Sequence, residues 1–174
     1  MFLEDKLIVG LDDSNHAAKR SGEIIVAAFS FDLEDEEVKK FGKRANYNEA
    51  LEWLNESKRD YRFTILRAKK FRYLHTNLPH TAEQLIQNYI ETNNLKLKKI
   101  SIFFDGEIQN YQVKNLKNLF NNYEIEIKNF IKTRGIHVCP KVIYMADILA
   151  NTIYNDHKGL LKNKKFIPYN LNNY

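Results

Sequence analysis

The sequence predicts an α/β fold in which a mixed sheet opens with three antiparallel strands and helices pack on its faces. Three observations carry this reading. Two nearly continuous apolar runs, LIVGLDDS at 7–14 and GEIIVAAFSF at 22–31, follow one another across the polar connection NHAAKRS, which suits an antiparallel pair. A third run, YRFTIL at 61–66, extends that opening. Beyond residue 80, helical and strand patterns alternate, and every apolar sheet face they imply needs a covering layer.

The elements follow in order. The first apolar run turns sharply acidic at Asp12 and Asp13, so it reads as a buried strand that delivers carboxylates at its end. Residues 32–43 are strongly charged and suit a loop or a short solvent-facing helix. Ala50, Leu51, Trp53 and Leu54 have the spacing of a packed helical segment within 48–57. After the 61–66 strand, the segment FRYLHTNLP leads to a helix beginning near His80 or Thr81, with Leu85, Ile86, Tyr89 and Ile90 as its apolar stripe.

KISIFFDGE at 99–107 alternates as a strand and stops at Asp105, where Gly106 frees the chain to turn. Val113, Leu116, Leu119 and Phe120 share one helical side, and 125–130 is strand-like. His137 to Pro140 opens a final unit, followed from Lys141 to Tyr154 by an amphipathic helix carrying Asp147 beside its packed side.

Composition bounds the function. With 174 residues, 44% hydrophobic and 28% charged, the chain can build one substantial core, so an unfolded chain of low hydrophobicity is excluded. No repeat or compositional break divides it, and a single domain over 1–174, with a loosely attached basic tail from about 158, is expected. The apolar runs fall short of the roughly 18 residues that cross a bilayer. No membrane partner and a cytoplasmic location are therefore expected. Lysine and arginine number 27 against 22 acids, a charge of +5 that favours anionic partners. Cys139 is the single cysteine, which excludes an intrachain disulfide and a multi-cysteine zinc site.

Four acids carry most of the chemical interest. Asp12, Asp13 and Asp105 end apolar strands, and Asp147 sits on a helix that must pack nearby. Gathered in one place, such carboxylates repel and lose hydration unless a hard divalent cation such as magnesium or manganese neutralises them. Two such ions can orient a water for attack on a phosphodiester. Taken singly, Asp-Ser and Asp-Gly are also ordinary turn pairs. His16 lies beside Asp12 and can move a proton or contact phosphate. Glu107, His137 and Asn151 are candidates for assisting roles, Asn151 standing one helical turn after Asp147. Lys69, Lys70 and Arg72, with Lys162, Lys164 and Lys165, mix cations with aromatics as a nucleic-acid surface would.

The opening GLDDSNHAAKRSGEIIVAAF resembles that of the ribonuclease H-like superfamily, and most of all the type 2 ribonucleases H. It is also similar to uncharacterised families of that superfamily that open with Asp-Asp-Ser or Asp-Glu-Ser and carry an Ala-Asp pair in the final helix. Asp12 and Asp13 match the family's acidic pair, FFDGE matches its central strand ending in Asp-Gly, and PKVIYMADILANTIYND resembles its proline-led last helix. The turn after the acidic pair departs from the type 2 pattern, with Ser14, Asn15, His16 and Ala17 where that family has glycines. The resemblance implies a ribonuclease H-like mixed sheet and a magnesium- or manganese-dependent nuclease acting on RNA or DNA. Its site would be formed by Asp12, Asp105 and Asp147. A non-catalytic nucleic-acid-binding or assembly protein on the same fold is the alternative. The choice between RNA and DNA, and between monomer and oligomer, is left open by the sequence.

Overall fold

In the computed structural model the described residues are 5–14, 23–32, 37–40, 47–56, 58–66, 74–131, 137–155, 165, 167 and 168. The elements run β1 (Lys6–Ser14), β2 (Glu23–Ser30), β3 (Glu37–Lys40), α1 (Tyr47–Asn55), β4 (Asp60–Leu66), α2 (Leu74–Thr92), β5 (Lys99–Asp105), α3 (Asn110–Leu119), β6 (Glu124–Phe130), β7 (His137–Pro140) and α4 (Lys141–Asn155). Five strands form one sheet in the order β4-β2-β1-β5-β6. β1, β2 and β4 are antiparallel neighbours, whereas β5 runs parallel to β1 and β6 parallel to β5. The expected mixed sheet with an antiparallel three-strand opening is what the chain builds.

Both faces of this sheet are buried, which explains the unbroken apolar runs of the opening strands. On one face Ile8, Ile24, Val26, Ala28 and Phe103 pack with Trp53 of α1 and with Val142, Met145, Ala146 and Leu149 of α4. On the other, Leu7, Val9, Leu11, Ile25, Ala27 and Phe29 meet Leu85, Ile86 and Tyr89 of α2 and Leu116 of α3. Tyr89 stacks on Phe29 with ring centroids 4.0 Å apart. α4 comes unusually close to the sheet at Gly10, where an added Cβ would stand 2.4 Å from the Val142 carbonyl oxygen. That glycine is the seat of the helix.

Two local expectations are corrected. The charged stretch 32–43, read as a loop or short helix, contains β3, which pairs antiparallel with β7 from Glu37 opposite Pro140 to Lys40 opposite His137. EVKK carries almost no pattern of its own, so a partner about a hundred residues away decides its conformation. α2 starts at Leu74 and runs through Pro79. The expected start near His80 was therefore late: a proline close to a helix start removes only one backbone donor, and the surrounding turns hold.

Of the tail, Lys165, Ile167 and Pro168 are described, and Lys165 and Ile167 are attached to the sheet. The Phe63 N–H donates to the Lys165 carbonyl at 3.0 Å, and the Ile167 N–H donates to the Phe63 carbonyl at 2.8 Å. The Lys165 ammonium pairs with Asp60, whose second oxygen takes Arg62 at 2.7 Å. Arg62 is buried and also donates to Asn88 of α2. Burial opposes ionisation of Asp60, but the hydrogen bonds from Lys165, Arg62 and the Tyr61 backbone outweigh it and hold the carboxyl below its usual range. Lys165→Ala is expected to lower stability by no more than about 1 kcal/mol, since Arg62 still holds Asp60 and the lysine is partly exposed. Urea denaturation of the two proteins measures this.

Candidate functional site

Register decides which of the acids stand together. Asp12 lies opposite Val26 and Asp13 opposite Ile25 in the β1–β2 pair. Residues directly opposite one another share a face. Asp12 therefore belongs with Val26 on the α4 face, and Asp13 with Ile25 on the α2 face. On the far side of β1, the parallel register with β5 ends at Leu11 opposite Phe104, so the next step sets Asp12 beside Asp105. Phe130, the β6 partner of Asp105, packs into the α4-side core, which puts Asp105 on that face too.

Asp12 and Asp105 thus each stand one residue past the last paired position of two adjacent parallel strands. In open α/β sheets, ligands bind outside the carboxyl ends of parallel strands, where the topology changes direction. β1 is such a point, antiparallel to β2 and parallel to β5. An Asp12 oxygen accepts the Asp13 N–H at 2.8 Å, which fixes that carboxylate at the strand end.

Asp147 is half-buried on α4, the helix that rides on this same face. The Asn151 amide donates to an Asp147 side-chain oxygen at 3.0 Å and to its carbonyl at 2.9 Å. Asn151 therefore orders the acid one turn behind it. Glu107 is exposed in the connection between β5 and α3. The His137 backbone lies in β7 opposite Lys40, while its side chain falls outside the described part. His16, Lys69, Lys70, Arg72, Lys162 and Lys164 also lie outside the described residues. Lys165 serves as the internal partner of Asp60.

Asp12, Asp13, Asp105 and Asp147 are the acids expected at one metal centre, and in the sheet Asp12 and Asp105 take the α4 face while Asp13 takes the α2 face. Among the described residues, no three His, Cys, Asp or Glu side chains gather so as to hold a metal ion. The period of two along a strand is the reason for half of this, because it sends consecutive aspartates to opposite faces. Asp12 and Asp105 share the α4 face as a pair of carboxylates. Magnesium is commonly held by one or two carboxylates together with waters and substrate phosphates, so the Asp12–Asp105 pair suits an ion that arrives with a phosphate.

Asp13 has its own partner on the α2 face. Glu23, fully buried at the head of β2, is a residue that sequence reading passed over. Burial first, and then the hydrogen bond and negative charge of Asp13, push the Glu23 carboxyl up to about 9. Glu23 therefore holds its proton at neutral pH. The available signal was an acid opening a run of seven apolar and small residues, EIIVAAFS.

This protonation has a pH signature. Between the ordinary value near 4.5 and the folded value near 9, the folded chain holds a proton that the unfolded chain releases. Stability therefore falls as pH rises through that window. Glu23→Gln removes the titration and is expected to be more stable than the natural chain at pH 8, by on the order of 2 kcal/mol relative to their difference at pH 5. Denaturant midpoints at the two pH values measure it, and parallel pH profiles for the two proteins would contradict it.

No family model matches the chain, and no curated protein matches it. Solved structures do. The structure of the PCNA:RNase HII complex from Archaeoglobus fulgidus aligns over 92% of this chain and 81% of its own, with a TM-score of 0.54 and 10% identity. Ribonuclease H2 from Pyrococcus horikoshii OT3 aligns over the same shares, with a TM-score of 0.53 and 13% identity.

Proposed function

We propose that this chain, which has the ribonuclease H-like fold, hydrolyses phosphodiester bonds of RNA or DNA at the Asp12–Asp105 pair, with magnesium or manganese as cofactor. The observation that supports the reading is the β1–β5 register, whose last pair, Leu11 opposite Phe104, immediately precedes Asp12 and Asp105 at a switch point of the sheet. A bound divalent cation supplies charge neutralisation at the phosphate and an activated water. Asp12 and Asp105 hold it, and Asp147, ordered by Asn151, is the third acid of the same face. His16, in the connection after β1, moves a proton on the phosphate side, and Glu107 assists from the connection after β5. The +5 charge draws the polyanion in.

A second reading has its own support. The absence of a three-residue metal group among the described residues favours a protein that binds nucleic acid, or assembles on it, without cleaving it. One experiment separates the two. Single-stranded RNA, single-stranded DNA and hybrid duplexes are incubated with magnesium or manganese and either the natural chain or Asp12→Asn, and binding is measured in parallel. Cleavage lost in the variant supports the nuclease. Binding without cleavage in both proteins supports the second reading.

A further inference from the structure

The two rims of the sheet are treated differently. At β4 the chain closes its own edge, because Phe63 turns its N–H and carbonyl outward to Lys165 and Ile167 of the tail. At β6, the opposite rim, no described residue is paired with the outer edge. The direction of the backbone groups there follows from two bonds. The Glu124 N–H donates to the Lys98 carbonyl at 2.8 Å, and the Phe130 carbonyl accepts the Gly106 N–H at 2.9 Å. In a parallel ladder, alternate residues turn both groups to the same neighbour. Glu124, Glu126, Lys128 and Phe130 therefore bond to β5, whereas Ile125, Ile127 and Asn129 present N–H and carbonyl outward.

This edge is complementary to itself. Laid antiparallel on a second copy with Ile127 opposite Ile127, the strand EIEIKNF brings Ile125 opposite Asn129, and both pairs have their backbone groups aimed across the junction. About six main-chain hydrogen bonds result. The same register sets Glu126 opposite Lys128 twice, in the non-hydrogen-bonded positions where Cα atoms approach to about 4.5 Å and side chains meet most closely. Lys128 is 57% exposed and already lies 2.7 Å from Glu126 of its own strand, so it can bridge to the partner's carboxylate with little movement. Lys6, Lys99 and Ser101 hold Glu126 in place on its inner side. Ile131, just past the strand, is 56% exposed and adds apolar surface at the junction.

We infer that β6 is a homodimer edge, through which two copies join their five-stranded sheets into one continuous sheet about a two-fold axis at Ile127. The contact is small, so the dimer is concentration-dependent rather than permanent. Its position is separate from the Asp12–Asp105 pair.

Sedimentation equilibrium of the full chain, from about 10 to about 500 µM, tests this. Self-association is expected in the natural protein. Lys128→Glu opposes Glu126 with a second acid and is expected to weaken the dimer at least tenfold, and Glu126→Lys is expected to do the same with two cations. An equimolar mixture of the two variants restores opposite charges across the junction and is expected to associate again. Asn129→Pro blocks outward hydrogen bonding at an exposed edge position where proline is tolerated, and is expected to give a monomer with an unchanged circular dichroism spectrum. A natural chain that stays monomeric over the whole range overturns the inference. So does Lys128→Glu or Asn129→Pro associating as strongly as the natural chain.

Discussion

Gly10→Ala is expected to destabilise the protein by roughly 3 kcal/mol, and to do so by displacing α4 rather than by weakening β1. The added methyl would sit 2.4 Å from the Val142 carbonyl oxygen, 2.6 Å from its carbonyl carbon and 2.8 Å from the Ile143 nitrogen. All three are backbone atoms in the first turn of the helix, so no side chain can swing aside to relieve the contact. Either α4 lifts from the sheet or β1 is pushed back, and both routes open the core formed by Ile8, Val26, Met145 and Ala146. β1 itself is hydrogen-bonded on both sides, to β2 and β5, so the helix is the element that yields. Urea denaturation gives the loss. Ala28→Gly, a glycine introduced under the same helix from the neighbouring strand, is the control, because it removes a methyl without forcing a clash. Equal stability of Gly10→Ala and the natural chain would show that the close approach is not rigid.

Asp12→Asn is the second large effect. On the proposed function it is expected to lower cleavage at least a hundredfold, a barrier increase of about 2.7 kcal/mol, and Asp105→Asn is expected to act alike because the two carboxylates form one pair. Asparagine keeps the size and one acceptor oxygen of the aspartate but removes the negative charge that holds a hard cation. Asp13→Asn is the informative comparison. Its side chain belongs to the α2 face with Glu23, so it is expected to retain most activity while shifting the pH dependence of stability. Equal loss at Asp12 and Asp13 would mean that both aspartates reach one centre, and the division by sheet face would fall. Rates with saturating magnesium, read beside denaturation midpoints, separate the loss of chemistry from the loss of fold.

Glu23 and Gly10 show where sequence and structure part. The alternation of apolar residues, the turn at Gly106 and the 3,4 spacing after Lys141 are local properties, carried by a few neighbouring side chains, and they placed β1, β2, β4, β5, β6, α3 and α4 in the right order. They also marked Asp12 and Asp105 as strand ends. Cys139, the single cysteine, is fully buried in β7.

The rest depended on contacts between distant segments. The strand EVKK exists because β7 lies beside it, and the tail residues Lys165 and Ile167 are ordered because Phe63 has an open edge. The division of the acids had the same origin. The sequence offers four aspartates as candidates for one centre, and the face that each strand aspartate takes is set by register, which a single residue along β1 reverses. Element type and order were therefore written in the local pattern of the chain. Only the assembled sheet decided that Asp12 and Asp105 take one face and that Asp13 takes the other with Glu23, because side-chain direction in a strand follows from pairing across the sheet and burial raises the energy of a second negative charge.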